Sequence, residues 1–314
     1  MTIRETLNKG TELLSIPRES SHIDTPALDA ALLLAETLHI RREDLIINAG
    51  DTVGEKKYTD YTRLLKRRVE GECVAYILGR KEFYGLEFLV NKSVLVPRPE
   101  TETLVEAAVN ILDSIEKLND IDAANAEPLK VLDLCTGSGA AAIALKYTRP
   151  QTEVWAADIS PEALAVAKTN CERLITLCVT RNITHSVAHD VAHNAGKTRS
   201  IHFVESDLFC AINDRFHLIM TNPPYVKPED IKALPPEVQG EPLLALDGGK
   251  DGLDIIRRII KEAPAHLLPK GMLLMEADPR QMSEIKKLLE NNHFENIKIH
   301  KDLTNERVIS ASCH

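Results

Sequence analysis

Residues Asn222-Pro223-Pro224-Tyr225 combine a side-chain amide, two stiff prolines and an aromatic ring. The prolines remove two backbone N–H donors and fix φ at about −65°, which leaves a segment rich in acceptors. The Asn222 side-chain oxygen and the Pro223 carbonyl can each accept a hydrogen bond from a planar –NH₂ group, with the Tyr225 ring as a flat face beside it. This suits the binding and modification of an amino or amide nitrogen. The bland alternative is a proline-rich turn, since short motifs also arise by chance.

A second set of candidates lies upstream. Cys135-Thr136-Gly137-Ser138-Gly139 follows Lys130 to Leu134, which reads as a buried strand, and precedes the helical run Ala140 to Lys146. Strand, glycine turn and helix start form a dinucleotide-type loop, because glycine lets the backbone approach a ligand closely. The next strand candidate, Glu153 to Ala157, ends in Asp158, roughly 20 residues beyond the glycines, where such folds place a carboxylate on ribose hydroxyls. The loop departs from G-x-G-x-x-G and lacks the lysine of a triphosphate-binding loop, which favours a nucleoside without phosphates. A third strand candidate, His202 to Val204, runs into Glu205-Ser206-Asp207, and an acid there can accept a hydrogen bond from an adenine amino group.

These residues need a sheet to position them. Phe216 to Met220 reads as a buried strand that delivers Asn222 at its C-terminal end, where open α/β sheets bind ligands. Leu28, Ala31, Leu32, Ala35 and Leu38 recur at helical spacing, as do Tyr61, Leu64, Leu65, Arg68 and Val69, so residues 1–78 read as a small helical domain. Residues 79–97 read as a hairpin linker, with Phe83 to Val96 alternating about a turn at Gly85. Residues 98–314 form the catalytic domain, with a polar loop at Asn119 to Glu127 and a polar insertion at about 175–200. Lys227 to Gly249, rich in proline, acid and glycine, is expected as an ordered lid-like loop. A helix over Leu253 to Leu267 and strands around Leu273 and Val308 complete the α/β domain.

The order D-L-C-T-G-S-G, Ala157-Asp158, Ser206-Asp207, N-P-P-Y resembles a class I S-adenosylmethionine-dependent methyltransferase acting on a planar nitrogen. Leu95-Val96-Pro97-Arg98-Pro99-Glu100-Thr101-Glu102 and Glu241-Pro242-Leu243-Leu244-Ala245-Leu246 resemble more narrowly the release-factor glutamine methyltransferases, the PrmC/HemK family, over nearly the whole chain. The resemblance implies a Rossmann-like, seven-stranded sheet. It also implies S-adenosyl-L-methionine held by Cys135, Thr136, Gly137, Ser138, Gly139, Asp158, Asp207, Leu208 and Asn222, with catalysis at Asn222, Pro223, Pro224 and Tyr225. Its implied substrate is the glutamine of the Gly-Gly-Gln loop of class-1 peptide-chain release factors, and Arg98 and Glu100 would shape the pocket wall. The chain departs from the family at Cys135, where glycine is usual, at Leu208, where many members have an aromatic, and at Ala277-Asp278-Pro279, where glycine is more common.

A methylase of an exocyclic amino group of adenine or guanine in DNA or RNA would share N-P-P-Y. The formal net charge of −9 across 314 residues weighs against such a nucleic-acid partner. A catalytically idle binding module would have lost Asn222 and Tyr225, and both are intact. No run of about 18 apolar residues and no signal segment appears, so the expectation is a cytoplasmic enzyme without a membrane partner. The six cysteines include no C-x-x-C pair. His185, His189 and His193 are spaced to share a helix face, but lie in the polar insertion without a second ligand cluster, so no metal is expected. Asn182-Ile183-Thr184 matches a glycosylation acceptor in a chain with no secretory signal. Arg41-Arg42 and Lys66-Arg67-Arg68 are read as solvated helix faces or as basic surface for acidic patches on a protein partner.

Overall fold

The structure, a computed structural model, describes residues 1–17, 23–118, 127–181, 200–302 and 305–313. The three insertion histidines, the Asn182 triplet, most of the 175–200 insertion and nearly all of the expected 119–127 loop lie outside the described residues. The chain divides into two units, Met1–Arg80 with Lys232–Glu241 and Lys81–Ile231 with Pro242–His314.

The smaller unit is helical. It contains α1 (Ile3–Ser15), α2 (Pro26–Leu38), α3 (Asp44–Ile47), α4 (Glu55–Val69) and α5 (Val74–Leu78). Thr2 and Glu5 cap α1 reciprocally, satisfying two otherwise orphaned N–H groups. Leu14, Leu33, Leu34, Tyr61 and Leu65 fill the core. A Cβ on Gly10 would overlap the Tyr61 phenol, whose hydroxyl donates to the Ala30 carbonyl at 3.1 Å. The buried face of α2 carries Ala30, Leu33, Leu34 and Ala35, whereas Leu28 is exposed. The helix is apolar nearly all round, so its spacing fits more than one phase.

Arg68 corrects the solvated-face reading. It is buried, pairs with buried Asp29 at 2.7 Å and also contacts Glu237. The guanidinium fork can serve two carboxylates at once. Glu237 belongs to the stretch expected as a lid-like loop, and Lys232–Glu241 instead packs as part of the helical unit.

The larger unit is built on a sheet of seven described strands. In chain order they are β3 (Lys130–Leu134), β4 (Glu153–Asp158), β5 (Ile201–Glu205), β6 (Phe216–Thr221), β7 (Leu267–Glu276), β8 (Glu295–Lys301) and β9 (Glu306–Ser312). Their spatial order is β5-β4-β3-β6-β7-β9-β8. Strands β3 to β7 pair in parallel, while β9 runs antiparallel to β7 and β8. Strand order reverses between β3 and β6, which creates a crevice at their C-terminal ends. The helices α6 (Glu102–Leu118), α7 (Ala140–Thr148) and α8 (Pro161–Arg181) are joined later in the chain by helices Asp254–His266 and Met282–Asn291. One core holds Leu104, Leu112, Val131 and Ile143, the other Leu132, Ile219, Ile256 and Ile285.

The hairpin is shorter than expected. β1 (Arg80–Phe83) and β2 (Leu86–Leu89) close through Tyr84 and Gly85, both at positive φ as a primed turn requires. Phe83 and Phe88 are buried in the larger unit's core. Beyond Leu89 the chain is no longer strand, and Ser93 to Arg98 runs along the wall of the cavity described next.

Candidate active site

A cavity of about 280 Å³ lies at the C-terminal ends of β3, β4, β5 and β6. The register explains why distant residues meet there: Leu134 pairs with Ala157 on one side and Thr221 on the other, and Asp158 pairs with Glu205. Of the sequence candidates, Cys135, Thr136, Gly137, Ser138, Asp158, Asp207, Leu208, Asn222 and Pro224 line the cavity. Gly139, Pro223 and Tyr225 are not on its wall. Gly139, at φ 79°, faces Ile143 and Ala167, so its role is close packing of the loop against two helices. Arg98 is on the wall and Glu100 is not.

The glycine loop is braced from both sides. The Thr136 N–H donates to the Ala157 carbonyl at 3.0 Å, and its hydroxyl donates to Asp133 at 2.6 Å. Burial pushes Asp133 up to about 7, against the pull of that hydrogen bond. Asp158 accepts from the Gly137 N–H at 2.8 Å and from the Ser160 N–H at 3.0 Å. Burial also raises Asp158, opposed by those donors. The carboxylate keeps acceptor capacity for a ligand beyond these donors. A Cβ on Gly137 would meet nothing within 4 Å, so the loop opens toward the cavity at that residue. Asn170, fully buried, brackets the region by donating to the Leu89 and Ser138 carbonyls and accepting from the Leu89 N–H.

Such a cavity fits a nucleoside sulfonium. Carboxylates at two strand ends could receive hydroxyl and amino groups, and Leu134, Ala140, Ala157, Ile159 and Leu208 form an apolar wall that could take a base and carbon chain. Two departures noted in the sequence have structural counterparts. Cys135 adopts φ 58° and Leu208 φ 50°, both in the left-handed region. Asp207 pairs with Arg258, also on the wall, at 3.0 Å.

The Asn222 segment is held in a fixed frame. Thr221 donates to the Leu134 carbonyl at 2.9 Å, and Asn222 Nδ2 donates to Thr101 Oγ1 at 3.2 Å. Among the described residues, the Asn222 side-chain oxygen has no hydrogen-bond partner and Asn222 is on the cavity wall. Glu276, buried at the end of β7, is pushed up to about 7 by burial, with Thr101 and Arg307 opposing. Behind the motif, the Val226 N–H donates to Leu246, the Gly248 N–H to Val226, and Gln281 to the Tyr225 carbonyl at 3.0 Å. Tyr225 packs against the core, and burial beside Glu276 raises its phenol well above the usual range. Sequence reading did not single out Thr101 as Asn222's partner, nor Asn170, Gly248, Gly252, Glu276 and Gln281. The closely spaced glycines of Asp247 to Gly252 were the available signal.

Comparison with known proteins gives the family of the chain. A profile for the PrmC N-terminal domain matches residues 5–79, and one for the methyltransferase small domain matches residues 115–195. A release factor glutamine methyltransferase of Burkholderia pseudomallei is 37% identical over 279 residues, covering 88% of each chain. The chain belongs to the release factor glutamine methyltransferase family. Its similarity to the Deinococcus radiodurans member is 32% over 312 residues, covering 99% of this chain and 98% of that one. Among solved structures, the catalytic domain of hMettl16 bound to a MAT2A 3′UTR hairpin aligns with a TM-score of 0.50 at 13% identity, covering 84% of each chain, a likeness of fold alone. Within this family fold, no described helix is long and apolar enough to cross a membrane.

Proposed function

We propose that the protein transfers a methyl group from S-adenosyl-L-methionine to the side-chain amide nitrogen of the glutamine in the Gly-Gly-Gln loop of class-1 peptide-chain release factors. The observation that carries this reading, beside family membership, is the orientation of Asn222. One of its two amide N–H groups goes to Thr101, which leaves its oxygen without a partner among the described residues, on a residue of the cavity wall, for a planar –NH₂.

An amide nitrogen is a poor nucleophile because its lone pair is delocalised into the carbonyl. The nitrogen would take the methyl that S-adenosylmethionine supplies as the S–CH₃ bond breaks and the neutral thioether leaves, and the positive charge that builds on the nitrogen would end with loss of one N–H proton to solvent. The Asn222 oxygen and the Pro223 carbonyl accept its N–H groups and stabilise the charge as it develops, an effect that counts because it strengthens toward the transition state. Pro223 and Pro224 stiffen the acceptors, and Tyr225 anchors them from the core through its ring and its carbonyl. Holding nitrogen and methyl at near-attack distance supplies much of the remaining acceleration. Asp158 and Asp207 would hold the ribose and adenine ends, with the loop from Cys135 to Gly139 closing beneath and Leu208 packing beside the base.

The substrate is read as a protein loop because Leu244, 57% exposed, forms an apolar lip on the cavity wall beside Leu243, 61% exposed. The helical domain supplies remote contacts with the rest of the release factor, so free glutamine should be a far poorer substrate. Incubation with labelled S-adenosylmethionine and either a release factor or RNA, followed by tandem mass spectrometry, tests the reading. One methyl on the loop glutamine is expected. An unmodified loop alongside label on an RNA base amino group would replace it with the nucleic-acid alternative.

A further inference from the structure

We propose that Arg258 is a cofactor-binding residue, whose guanidinium steadies the Asp207 carboxylate for the adenine amino group and offers its own plane to the face of the base. This deepens the proposed function and rests on its reading of Asp207 as the residue at the adenine end.

Adenine presents two flat faces and, at one edge, an amino donor. Among the described residues that line the cavity there is no Phe, Tyr, Trp or His to stack on such a face. Ala157, Ile159 and Leu208 are aliphatic, and the planar cations on the wall are Arg98 and Arg258. Arg98 belongs to the methyl-acceptor end. Its carbonyl accepts from the Thr101 N–H at 3.1 Å, and Thr101 receives the Asn222 amide. Arg258 belongs to the other end, where its Nη2 donates to Asp207 Oδ2 at 3.0 Å.

Both partners of that pair are held by firm backbone. Arg258 follows Ile255 by three residues on the helix Asp254–His266, and the two share the face that lines the cavity, while Ile256, Ile259 and Ile260 are buried in the core. On the other side, the Ser206 N–H donates to the Asp158 carbonyl at 2.9 Å. The Ser206 hydroxyl donates to the Leu208 carbonyl at 2.7 Å and accepts from the Ala211 N–H at 2.9 Å, which braces the Asp207 turn.

The ion pair is a poor candidate for a fold brace. Its side chains are 41% and 46% exposed, and pairs so exposed add little to stability. What it does is orient a carboxylate. Oδ2 faces Arg258, and among the described residues Oδ1 has no hydrogen-bond partner, so an acceptor remains for an amino group. A guanidinium that spends N–H groups on a carboxylate keeps its faces for a ring, whereas a lysine ammonium there would supply charge without a plane. Glu262, 4.0 Å from Arg258 Nε, holds the side chain from the next turn of the same helix.

The test is calorimetric titration with two probes, S-adenosylhomocysteine and 5′-methylthioadenosine, which keeps the adenine and ribose but lacks the amino-acid end. Arg258→Met should raise the Kd of both by a similar factor, about tenfold, the scale of a partly desolvated cation over a ring. Arg258→Lys should also weaken both, because the charge stays and the plane goes. In an Asp207→Asn background, Arg258→Met should cost clearly less, since part of its effect runs through Asp207. The urea midpoints of the Arg258 variants should match the wild type, as expected for an exposed pair. Arg258→Lys carries the test alone if Arg258→Met does not fold. Wild-type affinity for methylthioadenosine in either Arg258 variant would overturn the inference. So would a loss confined to S-adenosylhomocysteine, which would assign Arg258 to the amino-acid end. Each of these leaves the proposed methyl transfer standing. Failure of the wild type to bind either probe would overturn both.

Discussion

The carboxylate of Asp158 at the end of β4 receives the backbone N–H of Gly137 at 2.8 Å, so the acid expected to bind the cofactor also shapes the glycine loop beside it. That side chain has two functions at once, since both oxygens hold backbone donors and the carboxylate keeps acceptor capacity for a ligand.

Asp158→Ala should therefore weaken S-adenosylmethionine binding by about 1.5–3 kcal/mol, the range for a hydrogen bond to a charged group. Calorimetric titration reads this directly. Unchanged affinity would remove Asp158 from the ribose role.

Cys135 adopts a left-handed backbone at φ 58° on the cavity wall, a conformation that costs a side-chain-bearing residue about 1–2 kcal/mol. Part of the gain from glycine is offset by its greater loss of chain freedom. Cys135→Gly should raise stability by about 0.5–1 kcal/mol, seen as a higher urea midpoint for the larger unit. A lower midpoint would show that the thiol's packing outweighs the backbone strain.

Gly252, at φ 77°, lies against the Tyr225 carbonyl and Gln281, and a Cβ there would overlap both. Gly252→Ala should push the Asn222 to Tyr225 segment out of line. A misplacement of this kind is expected to lower kcat by on the order of 10²-fold, while the cofactor Kd stays nearly constant. Equal kcat for variant and wild type would show that the frame behind the motif does not set its geometry.

The framework of this site was legible because buried parallel strands read as short, mostly apolar runs, here broken only by Asp133 and His217. Val131 to Leu134 and Phe216 to Met220 have no other place to go, and the residues that follow them necessarily gather at one end of the sheet. β8 lacks that signature, since it is an edge strand with Lys298 and Lys301 interrupting its apolar positions. Partnerships formed only by folding were also invisible. Thr101 and Asn222 lie far apart in the chain, and neither shows from its neighbours that the other ends beside it. Arg68 has the same lesson: a run of three basic residues looks solvated until Asp29 is placed opposite one of them. Tyr225 looked like a wall of the pocket because it follows Asn222 closely, but the turn after the prolines directs it into the core.

The most direct measurement is single-turnover methyl transfer by Asn222→Ala at saturating cofactor, with release-factor glutamine as acceptor. Loss of one preorganised acceptor should slow the chemical step by on the order of 10²–10³. Saturation separates this from any loss of cofactor affinity. A rate within a few-fold of the wild type would contradict the claim that the Asn222 oxygen stabilises the charge developing on the amide nitrogen.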